Sequence, residues 1–172
     1  MKKLLLIIAL VITTSTFAQK KNSNGKIYDK HPAINTVESF TKAFVEGSQE
    51  ELKALVSDDF KWWQMNAMMP KPLTIENLIA RSEYLAKNVL GFSVTNRGTS
   101  YSDALEFGKD GVNVYAYQVL KGFDKNTGYK YEIPRNSIFF FDKEGKISGL
   151  SVSDSQLKWE KAYDARGISK NG

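Results

Sequence analysis

Tyr-Lys-Tyr-Glu-Ile-Pro-Arg-Asn-Ser-Ile-Phe-Phe-Phe-Asp-Lys-Glu-Gly-Lys-Ile, residues 129–147, decides how this chain folds. Tyr129 to Phe141 reads as a long strand, rich in aromatic and branched residues. Asp142-Lys143-Glu144-Gly145 turns the chain, and Lys146 to Ser153 returns as a second strand. On the other side, Asp124-Lys125-Asn126-Thr127-Gly128 is a hairpin turn back to Val112–Lys121, a strand rich in Val and Tyr. Pro134 cannot donate to a ladder, so it implies an edge or a bulge, and it leaves undecided whether Arg135 or Asn136 faces inward. Phe92–Thr99 and Ala104–Phe107 are further strand candidates.

The residues before this meander have helical texture. Ile34, Val37, Phe40, Phe44 and Val45 recur at helical spacing after Pro32, and Gly47 is a stop. Ser48-Gln49-Glu50-Glu51 matches a capping box for a short second helix. Asp58-Asp59 turns into a short strand, Phe60–Met65. Thr74 caps a third helix whose buried side carries Leu78, Ile79, Leu85, Ala86, Val89 and Leu90, with Gly91 as its end and Arg81 on its solvated side. Gln156–Tyr163 is a terminal helix or an extended tail. Helices followed by antiparallel strands mean an α+β domain, in which a strongly curved sheet wraps three N-terminal helices into a cone.

Residues 1–18 read as a signal peptide. Lys2 and Lys3 precede a nine-residue apolar run, Leu4–Ile12, and Thr16-Phe17-Ala18 supplies a cleavage site before Gln19. The run is too short to span a bilayer, so cleavage after Ala18 leaves a secreted or periplasmic protein with no membrane attachment. Residues 19–32 form a flexible basic linker, 33–160 the domain and 161–172 a tail. The formal charge of +5 comes from Lys2, Lys3 and the linker, while residues from 31 onward sum to zero. The folded body therefore lacks the dense basic patch that nucleic acid would require.

Several chemistries are closed to this composition. There is no cysteine, and the single histidine, His31, precedes the first helix. Ser-His-Asp triads, Cys-His pairs and thiolate or multi-histidine zinc sites all need residues the chain lacks. No phosphate loop or metal-ligand spacing is present, so neither a metal nor a cofactor is expected.

The element order, the unit of residues 34–62 ending in Asp58-Asp59-Phe60-Lys61-Trp62, the Val114-Tyr115-Ala116-Tyr117 hairpin and the Phe139–Ile147 turn resemble the NTF2-like superfamily, in its SnoaL-like, ketosteroid-isomerase-like branch. The resemblance implies a cone with an apolar pocket. It also implies sheet-to-sheet homodimers and, in catalytic members, a pocket acid assisted by Tyr, His or Arg. Fold does not carry activity in such a family.

Residue by residue, the pocket is expected to be lined by Trp62, Trp63, Met65, Met68, Tyr84, Tyr117, Arg135 and Asp154. On a strand Trp62 and Trp63 must point to opposite faces. Leu150, Val152 and Asp154 share one parity on the last strand, which aims Asp154 inward with the other two. Asp154, Asp103 and Asp59 are the weak candidates for an acid or base, and none is assigned a catalytic role. The expected function is binding of a small, mainly hydrophobic molecule, without a firm reaction. Two alternatives stand beside it: a metal-free acid–base enzyme of the ketosteroid-isomerase kind, and a non-catalytic protein-interaction module. The strands 112–120 and 131–141 are apolar on both parities, which calls for cover on the convex face by a second copy or by the segment around Trp159.

Overall fold

The structure is a computed structural model that describes residues 24–65, 71–108, 111–165 and 167. The signal segment and Met68 lie outside the described residues. In chain order the elements are β1 (Lys26–Tyr28), α1 (Pro32–Glu46), α2 (Gln49–Leu55), β2 (Val56–Gln64) and α3 (Ile75–Asn88). Then follow β3 (Val89–Asn96), β4 (Asp103–Glu106), β5 (Val112–Asp124), β6 (Lys130–Phe141), β7 (Ile147–Asp154) and α4 (Gln156–Ala165).

Caps and turns set the helix ends. His31 precedes α1 and its Nδ1 accepts the Ala33 N–H at 3.1 Å, so the histidine is spent on starting a helix. Gly47 ends α1 at φ 72° and lies so close to α3 that a Cβ there would sit 2.9 Å from the Ala86 Cβ. The capping box expected at Ser48 does not form: Ser48 makes no side-chain cap bond, and α2 runs directly into β2 at Val56. Likewise α3 stops at Asn88, before Gly91, because Val89 already pairs with Asp124 in the sheet.

The seven strands form one curved, unclosed sheet in the order β1-β4-β5-β6-β7-β2, with β3 also paired to β5. All pairings are antiparallel except β2 with β7. The first strand, Lys26–Tyr28, falls within the segment read as linker, and Tyr28 OH donates to Glu106 Oε2 at 2.7 Å. At the other end, α4 continues past residue 160. Asp58 and Asp59, read as a turn, are instead part of β2.

Pro134 sits opposite Val119 in an unbroken β5–β6 register. The β6–β7 pairing begins only at Arg135, so β6 is locally an edge at the proline, and no ladder bond is lost there. The register also settles the parity. Tyr131, Ile133, Arg135, Ser137 and Phe139 are buried on the concave side, while Asn136 is exposed on the other.

Helices α1 and α3 fill the concave face. Phe40 of α1 meets Phe139 edge-on with ring centres 5.5 Å apart, and Phe44 meets Phe92 at 6.0 Å. Ser82 of α3 is buried and donates to the Phe44 carbonyl at 2.7 Å, tying the two helices together. Trp159 of α4 does not cover the convex face. It is buried on the concave side, against Tyr131 at 5.8 Å and Asp154.

Candidate functional site

An inward-facing polar rank crosses an otherwise apolar concave surface. Gln118 on β5 is the register partner of Arg135 on β6, and Arg135 is the register partner of Asp154 on β7. All three are buried. Arg135 Nη2 donates to Asp154 Oδ2 at 3.2 Å, Trp159 Nε1 donates to the same oxygen at 2.8 Å, and Gln64 Nε2 donates to Asp154 Oδ1 at 2.5 Å. Both carboxylate oxygens are thus held by fixed donors, which is how a buried charge becomes tolerable. Burial pulls the Arg135 guanidinium down to about 10, against the opposing pull of the Asp154 carboxylate, and it stays charged at neutral pH.

The other side of Arg135 is less satisfied. Its Nε is buried and has no acceptor. Arg135 lines a small inner cavity of about 20 Å³ with Thr41, Gln118, Ser137, Val94 and the ring of Phe40. That is room for one water-sized group. The polar groups around it are loosely tied: Ser137 Oγ reaches Gln118 Oε1 at 3.5 Å, and Gln118 Nε2 reaches Thr41 Oγ1 at 3.4 Å. Both contacts are at the outer limit of hydrogen bonding.

Outside this cavity, α1 and β3 part beyond the Phe44–Phe92 contact, and the space between them is a cleft of about 1010 Å³. Ile34, Val37 and Val45 of α1 face Val94 of β3 across it, and Tyr101, Asp103 and Tyr117 flank it. Thr41, Val94 and Gln118 line both the cleft and the inner cavity, so the two spaces adjoin there. Among the described residues the inner cavity is small, and the larger space is this mixed apolar and polar cleft.

The residues expected at a pocket divide accordingly. Arg135 lines the inner cavity, and Tyr117 and Asp103 the cleft. Asp154 faces inward as its parity required, but it lies behind Arg135 and not on the cavity wall. Trp62 is buried, whereas Trp63 is 40% exposed on the opposite face, where it borders a shallow hollow with Phe140 and Gly149. Met65 is 65% exposed, since β2 has ended there. Tyr84 is committed elsewhere, donating to Asp124 Oδ2 at 2.9 Å. Asp59 is exposed and accepts from Ser57 Oγ at 2.7 Å. Arg81, expected in solvent, lies 3.9 Å over the Trp159 ring and 5.3 Å from that of Trp62, with Nη2 buried.

Sequence reasoning passed over Thr41, Gln118 and Ser137. The signal for Gln118 was available: it shares parity with Val114, Ala116 and Leu120, a lone amide on a buried strand face. Among the described residues, no group of three or more His, Asp and Glu could hold a metal ion, and no helix is long and apolar enough to cross a membrane.

No protein-family model matches the sequence, and no curated protein matches it. Solved structures do. BvnE pinacolase from Penicillium brevicompactum aligns at TM-score 0.65 and 10% identity, over 78% of this chain and 90% of that one. A protein described as a SnoaL-like polyketide cyclase, from Shewanella denitrificans, aligns at 0.53 and 15% identity, over 78% and 99%. A protein with a ketosteroid isomerase-like fold from Catenulispora acidiphila, solved in complex with trimethylamine, aligns at 0.55 and 15% identity, over 81% and 96%. Identities this low speak for architecture alone. With its curled sheet, its helices in the concave face and its side cleft, the chain has the NTF2-like fold.

Proposed function

We propose that the protein is a binding domain for a small amphipathic molecule, taken up in the cleft between α1 and β3. The observation that carries this reading is the sharing of Thr41, Val94 and Gln118 between the cleft and the inner cavity. A ligand's apolar body would lie against Ile34, Val37 and Val94, and its polar end would reach the rank of Gln118, Ser137 and Arg135. Burying such a body is worth about 25 cal/mol per Å² of apolar surface. The leader-like residues 1–18 support export of this domain, so the ligand would be met outside the cytoplasm.

The acid–base alternative finds less support. Among the described residues no carboxylate lines the inner cavity, and Asp154 holds its oxygens on Arg135, Trp159 and Gln64. A general base must reach the proton that it takes.

Amide chemical shifts during titration with 2-naphthoate test the reading. The expected result is perturbation centred on Thr41, Val94 and Gln118. Perturbation centred on Trp63 and Phe140 would place binding on the other face and refute it.

A further inference from the structure

Resting on the binding role just proposed, we infer that the inner cavity is a subsite for one oxygen of a carboxylate, so that the ligand is an amphipathic carboxylic acid. The cavity has the size of one oxygen and is walled by Arg135, whose side chain is 8% exposed and whose Nε has no acceptor. An unsatisfied buried donor on a charged group is costly, and a charged acceptor satisfies it better than a neutral one. Ser137 supplies a hydroxyl donor on the same wall. Gln118 lines both cavity and cleft and is held by two contacts of 3.4 and 3.5 Å, weak enough for the amide to swing and donate to an entering oxygen.

The charges facing this subsite favour an anion. Arg135 is paired with Asp154, but that carboxylate does not line the cavity. Arg81 is a second positive charge that destabilises the Arg135 cation, and an anion in the cavity would offset it. The cleft mouth is different: Asp29, Glu38 and Glu46 are exposed there and Asp103 is half-buried, with Lys42 paired to Glu46 at 3.3 Å. Those exposed acids are screened by water and salt, and they favour a ligand whose outer end is neutral or positive.

The test compares 2-naphthoate with its neutral isostere 2-naphthamide on the whole protein, by titration at physiological ionic strength. The carboxylate is expected to bind about tenfold tighter or more, with the Gln118 and Ser137 amides shifting. Equal affinities would overturn the carboxylate subsite while leaving the cleft as a binding site, and this is also what a single water trapped on Arg135 Nε would produce. No binding of either compound would overturn both readings. In Arg135→Gln/Asp154→Asn, which removes both charges together, the preference should collapse to near unity; a retained preference would contradict the assignment. Should that variant not fold by circular dichroism, the wild-type comparison alone decides.

Discussion

Arg135 and Asp154 face each other across β6 and β7 as register partners, joined at 3.2 Å inside the sheet, with side chains 8% and 0% exposed. Removing one partner leaves the other as an uncompensated buried charge. Asp154→Ala should therefore cost about 3–5 kcal/mol of stability, whereas Arg135→Met/Asp154→Leu should cost much less. Urea unfolding of the three proteins checks this. A single variant no worse than the double would show that the pair carries no such burden.

Trp159 serves the same carboxylate from α4, and its ring carries the Arg81 guanidinium at 3.9 Å. Trp159→Phe keeps a ring but deletes the N–H donor, and should cost about 1–3 kcal/mol. Arg81→Ala loses the stacking, worth about 0.5–2 kcal/mol. Because both residues contact one cluster, a double-mutant cycle should show non-additivity.

Asp124 gives a pH signature. Burial pushes its carboxyl up, but the Asn126 N–H, the Tyr84 hydroxyl and Thr127 outweigh that and leave it below the usual carboxylate range. A depressed native pKa stabilises the fold above the unfolded value of about 3.9, and that share is lost as pH falls through the native value. Wild type should lose urea resistance in this acidic window. Asp124→Asn should be less stable at pH 7, and the gap should narrow as the solution is acidified.

Gly122 occupies φ 153° where β3 crosses β5, and a Cβ there would stand 2.3 Å from Val89 Cγ1 and 3.3 Å from the Leu90 carbonyl oxygen. The β3 strand shifts register between Leu90 and Ser93 at this point. Gly122→Ala should cost about 1–3 kcal/mol, read as a lowered urea midpoint. Gly145→Ala meets nothing within 4 Å but keeps φ 80°, so it isolates the backbone contribution.

Much of the fold was legible because period and punctuation coincide. Phe139-Phe140-Phe141 followed by Asp142 and Gly145 is a strand and a turn by composition alone, and the Asp142 carboxylate accepts from the Glu144 and Lys146 N–H groups as such a turn requires. Asp154 could be aimed inward from strand parity. Pairing with Arg135 was legible too, but the donors Gln64 and Trp159 were not, because they come from separate elements. Pro134 hid the parity of Arg135, since a proline permits either an edge or a bulge until the neighbouring strand's length is known. Nearness to Trp62 and Trp63 points Met65 to a pocket, and the hydroxyl alone points Tyr84 there. Their places are set by where β2 ends and by the Asp124 turn. The short β1 escaped notice because Lys26-Ile27-Tyr28 sits in a polar segment and pairs with β4, a strand of only four residues.

A crystal structure of the protein grown with 2-naphthoate tests the binding account most directly. The naphthalene should lie between α1 and β3, with a carboxylate oxygen in the inner cavity within hydrogen-bond distance of Arg135 Nε and Ser137 Oγ. A naphthoate seated by Trp63 and Phe140, or one that leaves Gln118 closed over an unaltered cavity, would contradict it.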